Sequence, residues 1–233
     1  MSLNFKNVII AIMLEFFKKI LKVVANEDKN FLTNSKYIAL SNESSANEPT
    51  VPDTEVNHQY SKSVAFENDF RNYVNEYISS DIQYFSFLRP INELQIASLF
   101  AKNKDYYKVF KSCNVGSKTD SWCGKCPKCL FTYIIMSPFI SEEELKDIFG
   151  KNLLNDNDLL PILKQLKGEA EVKPFECVGT IEEVNACIEF SQKAKDERQK
   201  SFLVESLLNQ YDENNNLPKH FEAILKDNLF KNN

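Results

Sequence analysis

Tyr37-Ile38-Ala39-Leu40 runs straight into Ser41-Asn42-Glu43-Ser44-Ser45-Ala46-Asn47-Glu48-Pro49. The first four residues have the apolar character and the length of a strand, and the polar run behind them cannot continue it. Open α/β sheets place ligands in loops at the carboxyl ends of their strands, which makes the 41–48 stretch a candidate site. Asn57-His58-Gln59-Tyr60-Ser61-Lys62-Ser63 is a second polar stretch. It leads into a helix expected from Ser63 to about Ser79, where Val64, Phe66, Phe70, Tyr73, Val74 and Tyr77 recur at helical spacing. Tyr84-Phe85-Ser86-Phe87-Leu88 is the second strand-length run, and it ends in Arg89-Pro90.

Helices dominate the remainder. They are expected over Ile91–Ala101, from Ser141-Glu142-Glu143-Glu144 onward with a capping box, over Asp156–Lys167, over Thr180–Arg198, and from Phe202 to Phe230 with a break at Asn214–Pro218. Asp105–Lys111 reads as a short helix or turn, and Leu130–Ser137 is apolar. On the amino side, Val8–Leu14 is apolar but gives way to Glu15 and then Lys18-Lys19. A span needs roughly 20 apolar residues, so Asn4–Ala25 reads as an amphipathic core helix and no membrane role is expected. Two strands among many helices give an α/β fold with a helix-rich carboxyl half. A parallel sheet buries both faces only with more strands, so either strands go unread here or the chain is part of a larger α/β domain.

The chain has 233 residues, 43% hydrophobic and 26% charged, with eighteen Phe and nine Tyr, which supplies ample apolar surface for a core. Its net charge of −5 argues against general nucleic-acid binding, which needs clustered Lys and Arg. Of the six Cys, Cys177 and Cys187 stand apart, and four form Cys113-x9-Cys123-x2-Cys126-x2-Cys129. A C-x2-C segment folds tightly enough to aim two sulfurs at one point, with Gly124 and Pro127 favouring such turns. These four cysteines are expected to hold a structural Zn²⁺ in a reducing, cytoplasmic compartment, because a fully thiolate site leaves no open position for water. An iron–sulfur cluster is the rival occupant.

The segment Trp122-Cys123-Gly124-Lys125-Cys126-Pro127-Lys128-Cys129, with Ser112-Cys113-Asn114 before it, resembles the zinc site of 7-cyano-7-deazaguanine synthase. The nearer resemblance is to the UDP-N-acetylmuramoyl-L-alanyl-L-glutamate epimerase family of peptidoglycan synthesis. It is carried by Ser41–Asn47, Glu55–Ser63, Tyr84–Pro90, the cysteine segment and Lys173-Pro174-Phe175-Glu176-Cys177-Val178-Gly179, all in the family's order. The resemblance implies an adenine-nucleotide α-hydrolase-like (HUP) parallel sheet. It also implies ATP and Mg²⁺ as co-substrates and a UDP-MurNAc-dipeptide as substrate. The family carries a Ser-Gly-Gly-x-Asp-Ser pyrophosphate loop near its amino end, whereas this chain has no glycine before Gly116. The chain is therefore expected to be the carboxyl-terminal part, served by a further amino-terminal segment or subunit that carries the loop. On this reading residues 1–111 form the end of the nucleotide-binding domain, 112–200 the zinc and substrate region, and 201–233 a helical tail.

Such an enzyme turns the terminal L-Glu into D-Glu through an acyl-adenylate, and it needs a base, a proton donor and groups that hold the substrate. Glu43, His58 and Cys177 are the catalytic candidates. Asn42, Ser44, Asn47, Lys62, Arg89 and Glu176 are the binding candidates, with Arg89 able to clamp a carboxylate or to pair with Glu93. Two other readings stay open: an ATP-dependent ligase or amidation enzyme of the same superfamily, and a zinc-stabilised remnant that binds a partner.

Overall fold

The computed structural model describes residues 36–192 and 202–230. The elements in chain order are β1 (Tyr37–Leu40), α1 (Val64–Tyr73), β2 (Gln83–Ser86), α2 (Glu93–Ala101), α3 (Pro127–Met136), α4 (Glu142–Phe149), α5 (Leu160–Leu166), α6 (Ile181–Gln192), α7 (Phe202–Leu208) and α8 (Lys219–Phe230). Two compact units share them. Among the described residues the first comprises 36–44, Tyr60–Pro90 and 212–230, and the second Ser45–Gln59, 91–192 and 202–211. These units interleave along the chain, whereas the sequence suggested consecutive stretches. Late segments return to pack against early ones, as α8 does on the strands below.

In the first unit β1 and β2 pair in parallel, with Tyr37 opposite Gln83 and Leu40 opposite Ser86. Strand side chains alternate between faces, so Tyr84 and Phe85 point opposite ways. Phe70 of α1 covers Tyr84, ring centroids 4.6 Å apart, and Phe221 of α8 covers Phe85 at 5.4 Å and Tyr37 at 5.4 Å. Burial on both faces is why the second strand reads as a continuous apolar run without polar alternation. The Ser63 side chain caps α1 by accepting from Phe66 N, and the helix ends in a π turn over Val74–Ile78, close to the expected end at Ser79.

The second unit is built around α3. Every residue of α3 from Lys128 to Met136 is buried, and α2, α4, α5 and α6 all pack against it. A helix apolar on all sides belongs at the centre of a bundle. Pro127 opens it at a position where the missing N–H costs nothing. The capping box expected at Ser141 is present, with Glu144 as its partner, and Gly150 closes α4 in the left-handed region at φ 80°. The side chains of Asn92 and Gln95 on α2 donate to the carbonyls of Leu207 (2.9 Å) and Leu208 (3.0 Å) at the end of α7.

The fold is thus α/β, and among the described residues the sheet has two strands and no helix is long and apolar enough to cross a membrane. The amphipathic helix expected over Asn4–Ala25 lies outside the described residues, as does the end of the helix expected to reach Arg198.

Candidate functional site

The four cysteines meet in the second unit. Cys126 is the residue before α3 and Cys129 lies in its first turn, so the helix start presents two sulfurs side by side. The Sγ atoms of Cys113 and Cys126 are 3.8 Å apart, those of Cys123 and Cys129 3.7 Å, and those of Cys126 and Cys129 3.5 Å. A tetrahedron with metal–sulfur bonds of about 2.3 Å has edges of about 3.8 Å. All four sulfurs lie within 4.8 Å of one another, and none is in a disulfide, so the group could hold a metal ion. Two glycines permit the geometry. Gly124 sits at φ 65°, and a Cβ on Gly116 would come within 1.9 Å of the Ser121 carbonyl. Hydrogen bonding with the Cys129 thiol draws Cys126 down to about 5, while burial pushes Cys123 up. The cluster therefore favours a thiolate at Cys126, which is the form that binds metal. Trp122, the residue before Cys123, packs its ring 4.7 Å from Phe149 and 5.4 Å from Phe110.

The same unit brings His58 to the Lys173–Gly179 segment. His58 Nδ1 lies 2.5 Å from Thr50 Oγ1, and its backbone N–H donates to the same oxygen at 3.1 Å. Its ring stands edge-on to Phe175, 5.7 Å away. Lys173 is buried and ion-paired to Glu48, which also accepts from Ile181 N at 3.3 Å at the start of α6. Glu176 Oε2 accepts from Asn114 Nδ2 at 3.0 Å, and Cys177 is half-buried beside it. Asn47 ends the short turn Ser44–Asn47, and Asn57 steadies that turn by donating to the Ala46 carbonyl at 2.9 Å. Glu183 is fully buried: it caps α6 through Thr180 N (2.7 Å) and accepts from Leu94 N in the first turn of α2 (3.1 Å).

The first unit gathers another group at the carboxyl ends of its strands. Asn42 Nδ2 donates to Ser86 Oγ at 3.1 Å, and Ser44 follows half-buried. Arg89 is 0% exposed. Its Nη1 donates to the Glu43 carbonyl at 2.7 Å, and its Nη2 donates to the Lys62 carbonyl and pairs with Glu67 at 3.4 Å. The guanidinium that the sequence offered to a substrate carboxylate thus spends its Nη atoms within the chain, and the ion-pair partner is Glu67 instead of Glu93. Glu43 is 4% exposed, and its Oε2 makes no hydrogen bond among the described residues.

The structure therefore brings Asn42, Glu43, Lys62 and Arg89 together in one unit, and His58, Glu176, Cys177 and the four cysteines in the other. Glu48 and Asn114 lie in stretches the sequence singled out but were given no role of their own, and Thr50 and Glu67 were not picked out, since nothing local sets them apart from other polar loop or helix residues. Glu183 did carry a signal, the Thr180-x-x-Glu183 capping pattern.

The C-terminal domain model of MurL matches residues 109–222, and the N-terminal domain model of MurL matches residues 24–87. Over 150 residues the chain is 43% identical to the UDP-N-acetyl-alpha-D-muramoyl-L-alanyl-L-glutamate epimerase of Xanthomonas oryzae pv. oryzae, covering 61% of this chain and 33% of that protein. Proteins of the same name from a Micromonospora species and from Salinispora tropica are 41% and 40% identical over 152 residues, covering 63% of this chain and 34% and 33% of theirs. The matched stretch is thus about a third of the length of these curated relatives. No solved structure matches the chain. Two domain models of one family, met in order along the chain, agree with three relatives of one name, and the chain belongs to the MurL family.

Proposed function

We propose that this chain forms part of an enzyme that inverts the terminal L-Glu of UDP-MurNAc-L-Ala-L-Glu to D-Glu in peptidoglycan precursor synthesis. The observation that carries this reading is the 40–43% identity to three proteins bearing that epimerase name. The chemistry explains why ATP is called for. Removing the α-proton beside an ionised carboxylate would set a second negative charge next to the first. Attack of the carboxylate on the α-phosphate of ATP, with Mg²⁺ on the phosphates and pyrophosphate leaving, would give an acyl-adenylate whose uncharged acyl carbonyl accepts the carbanion's electrons as an enolate, and later hydrolysis would release AMP. The sheet in this reading is the remnant of an adenine-nucleotide α-hydrolase-like domain, completed by an amino-terminal segment or subunit with the pyrophosphate loop.

In this proposal the chain's residues have distinct tasks. His58 moves a proton at Nε2, its ring oriented by the Thr50 hydroxyl on Nδ1. Glu43, buried with one oxygen lacking a hydrogen bond, is the second proton-transfer candidate, and Cys177 returns a proton to the opposite face. Asn42, Ser44, Asn47 and Glu176 supply hydrogen bonds to the substrate, and Lys62 a cation for phosphate. Arg89 holds the Glu43 and Lys62 backbones in place by donating to their carbonyls. The four cysteines would hold a structural Zn²⁺, and four thiolate ligands would leave no open position for water, so the metal would support the fold and take no part in the proton chemistry.

The test is incubation with UDP-MurNAc-L-Ala-L-Glu, ATP and Mg²⁺ in D₂O, with and without a segment carrying the Ser-Gly-Gly-x-Asp-Ser loop, followed by chiral analysis of the glutamate. D-Glu with deuterium at the α-carbon is expected. Absence of D-Glu even with the added segment ends the reading, and amide formation in the presence of ammonia would replace it with the ligase.

A further inference from the structure

The segment Lys173–Gly179 is pinned at its ends and at its middle. Lys173 N donates to the Thr50 carbonyl at 3.1 Å, and its Nζ donates to the Gly179 carbonyl at 2.8 Å, which closes the segment into a loop. Glu48 neutralises the ammonium that makes this closure. At the middle of the loop Phe175 faces His58 on one side, and Glu176 accepts from Asn114 at 3.0 Å on the other. Asn114 directly follows Cys113, a buried member of the cysteine group whose Sγ accepts from Gly116 N at 3.1 Å. A continuous chain of contacts therefore runs from the thiols through Asn114, Glu176 and Phe175 to the ring of His58, all inside the second unit.

We propose that Asn114 is a positioning residue: through Glu176 it ties the Lys173–Gly179 loop, and with it the His58 ring, to the four-cysteine centre, so that a metal ion in that centre sets the loop's geometry. The proposal rests on reading the cysteines as a metal centre and does not depend on the epimerase reaction. Its physics is direct. Sulfurs 3.5–3.8 Å apart cannot all be thiolates without a cation between them, because like charges at that distance repel. A bound cation holds Cys113 in place, and the backbone at Asn114 with it. Without the cation Cys113 loses that anchor, and the Asn114–Glu176 bond loses its fixed end.

The experiment uses the full chain, loaded with zinc as counted by elemental analysis and then stripped with a chelator. Amide hydrogen exchange is followed at 175–178, and histidine ring signals are followed by NMR. The chain has two histidines, so His220 in the first unit serves as the internal reference. Stripping is expected to speed exchange at 175–178 on the order of fivefold, the worth of one lost hydrogen bond, and to shift His58 while His220 stays. Asn114→Ala and Glu176→Ala in the loaded protein should do the same, whereas Glu176→Gln, which keeps a carbonyl acceptor, should retain the loaded values. Zinc uptake with no change at the loop or at His58 overturns the proposal alone. Failure to take up zinc overturns the metal reading together with it.

Discussion

At the residue scale Arg89 illustrates how a charged side chain can serve the interior. Its guanidinium is fully buried, and Glu67, itself 1% exposed, is the carboxylate that neutralises it. Breaking such a pair strands a charge away from water, which costs more than the pair itself contributes. Arg89→Met is therefore expected to destabilise the chain by about 3–5 kcal/mol in urea unfolding. The double change with Glu67→Leu should recover part of that loss, because it removes the stranded carboxylate but not the need of the Glu43 and Lys62 carbonyls for a donor. Equal stability of the single variant and the parent would mean that the pair is not buried as described. The sequence made Arg89 conspicuous but could not name its partner. Glu93 lies four residues away and Glu67 twenty-two, and only the packing of α1 chooses between them.

At the element scale two devices hold helix starts and loops in register. Glu183 accepts from Thr180 N, just ahead of α6, and from Leu94 N in the first turn of α2, and burial raises its carboxyl above the ordinary carboxylate range. The unfolded chain ionises first, at about 4.3, so this group's contribution to stability is present below that pH and is lost as pH climbs through the folded-state value. Glu183→Gln should remove that downward slope just above about pH 4.3, as read by thermal unfolding across pH. An unchanged slope would assign it to other groups. The second device is the close approach at Gly179, where a Cβ would fall 2.6 Å from Glu183 Oε2 and 2.8 Å from Phe131 Cζ. Gly179→Ala is expected to cost about 1–3 kcal/mol by overpacking, measured by the same unfolding, and full stability would count against that crowding. The capping box at Ser141 was legible in advance, because caps are written within one turn of sequence, whereas Pro127 read as a turn residue of the cysteine segment and proves to open α3. The Glu183–Leu94 bond, across 89 residues, was not legible.

At the scale of the whole molecule the cysteine group is the feature most open to a direct count. One zinc per chain is expected by elemental analysis, and Cys126→Ser should lower both zinc content and folding yield. The single Trp122 precedes Cys123, packed between Phe110 and Phe149, so chelation should shift its fluorescence to longer wavelength as the ring meets water. Emission unaltered by a chelator that removes the zinc would show that the packing does not depend on the ion. By itself the sequence determined the two strands, most of the helices and the membership of the four-cysteine cluster, because each is written in residues close together along the chain, in apolar period, cap or C-x2-C spacing. Only the tertiary structure decided that Glu67 answers Arg89, that Glu48 answers Lys173 across 125 residues, and that Asn114 reaches Glu176 across 62. Those partners are chosen by which surfaces come to lie together once the apolar faces are buried, and no local pattern encodes that choice.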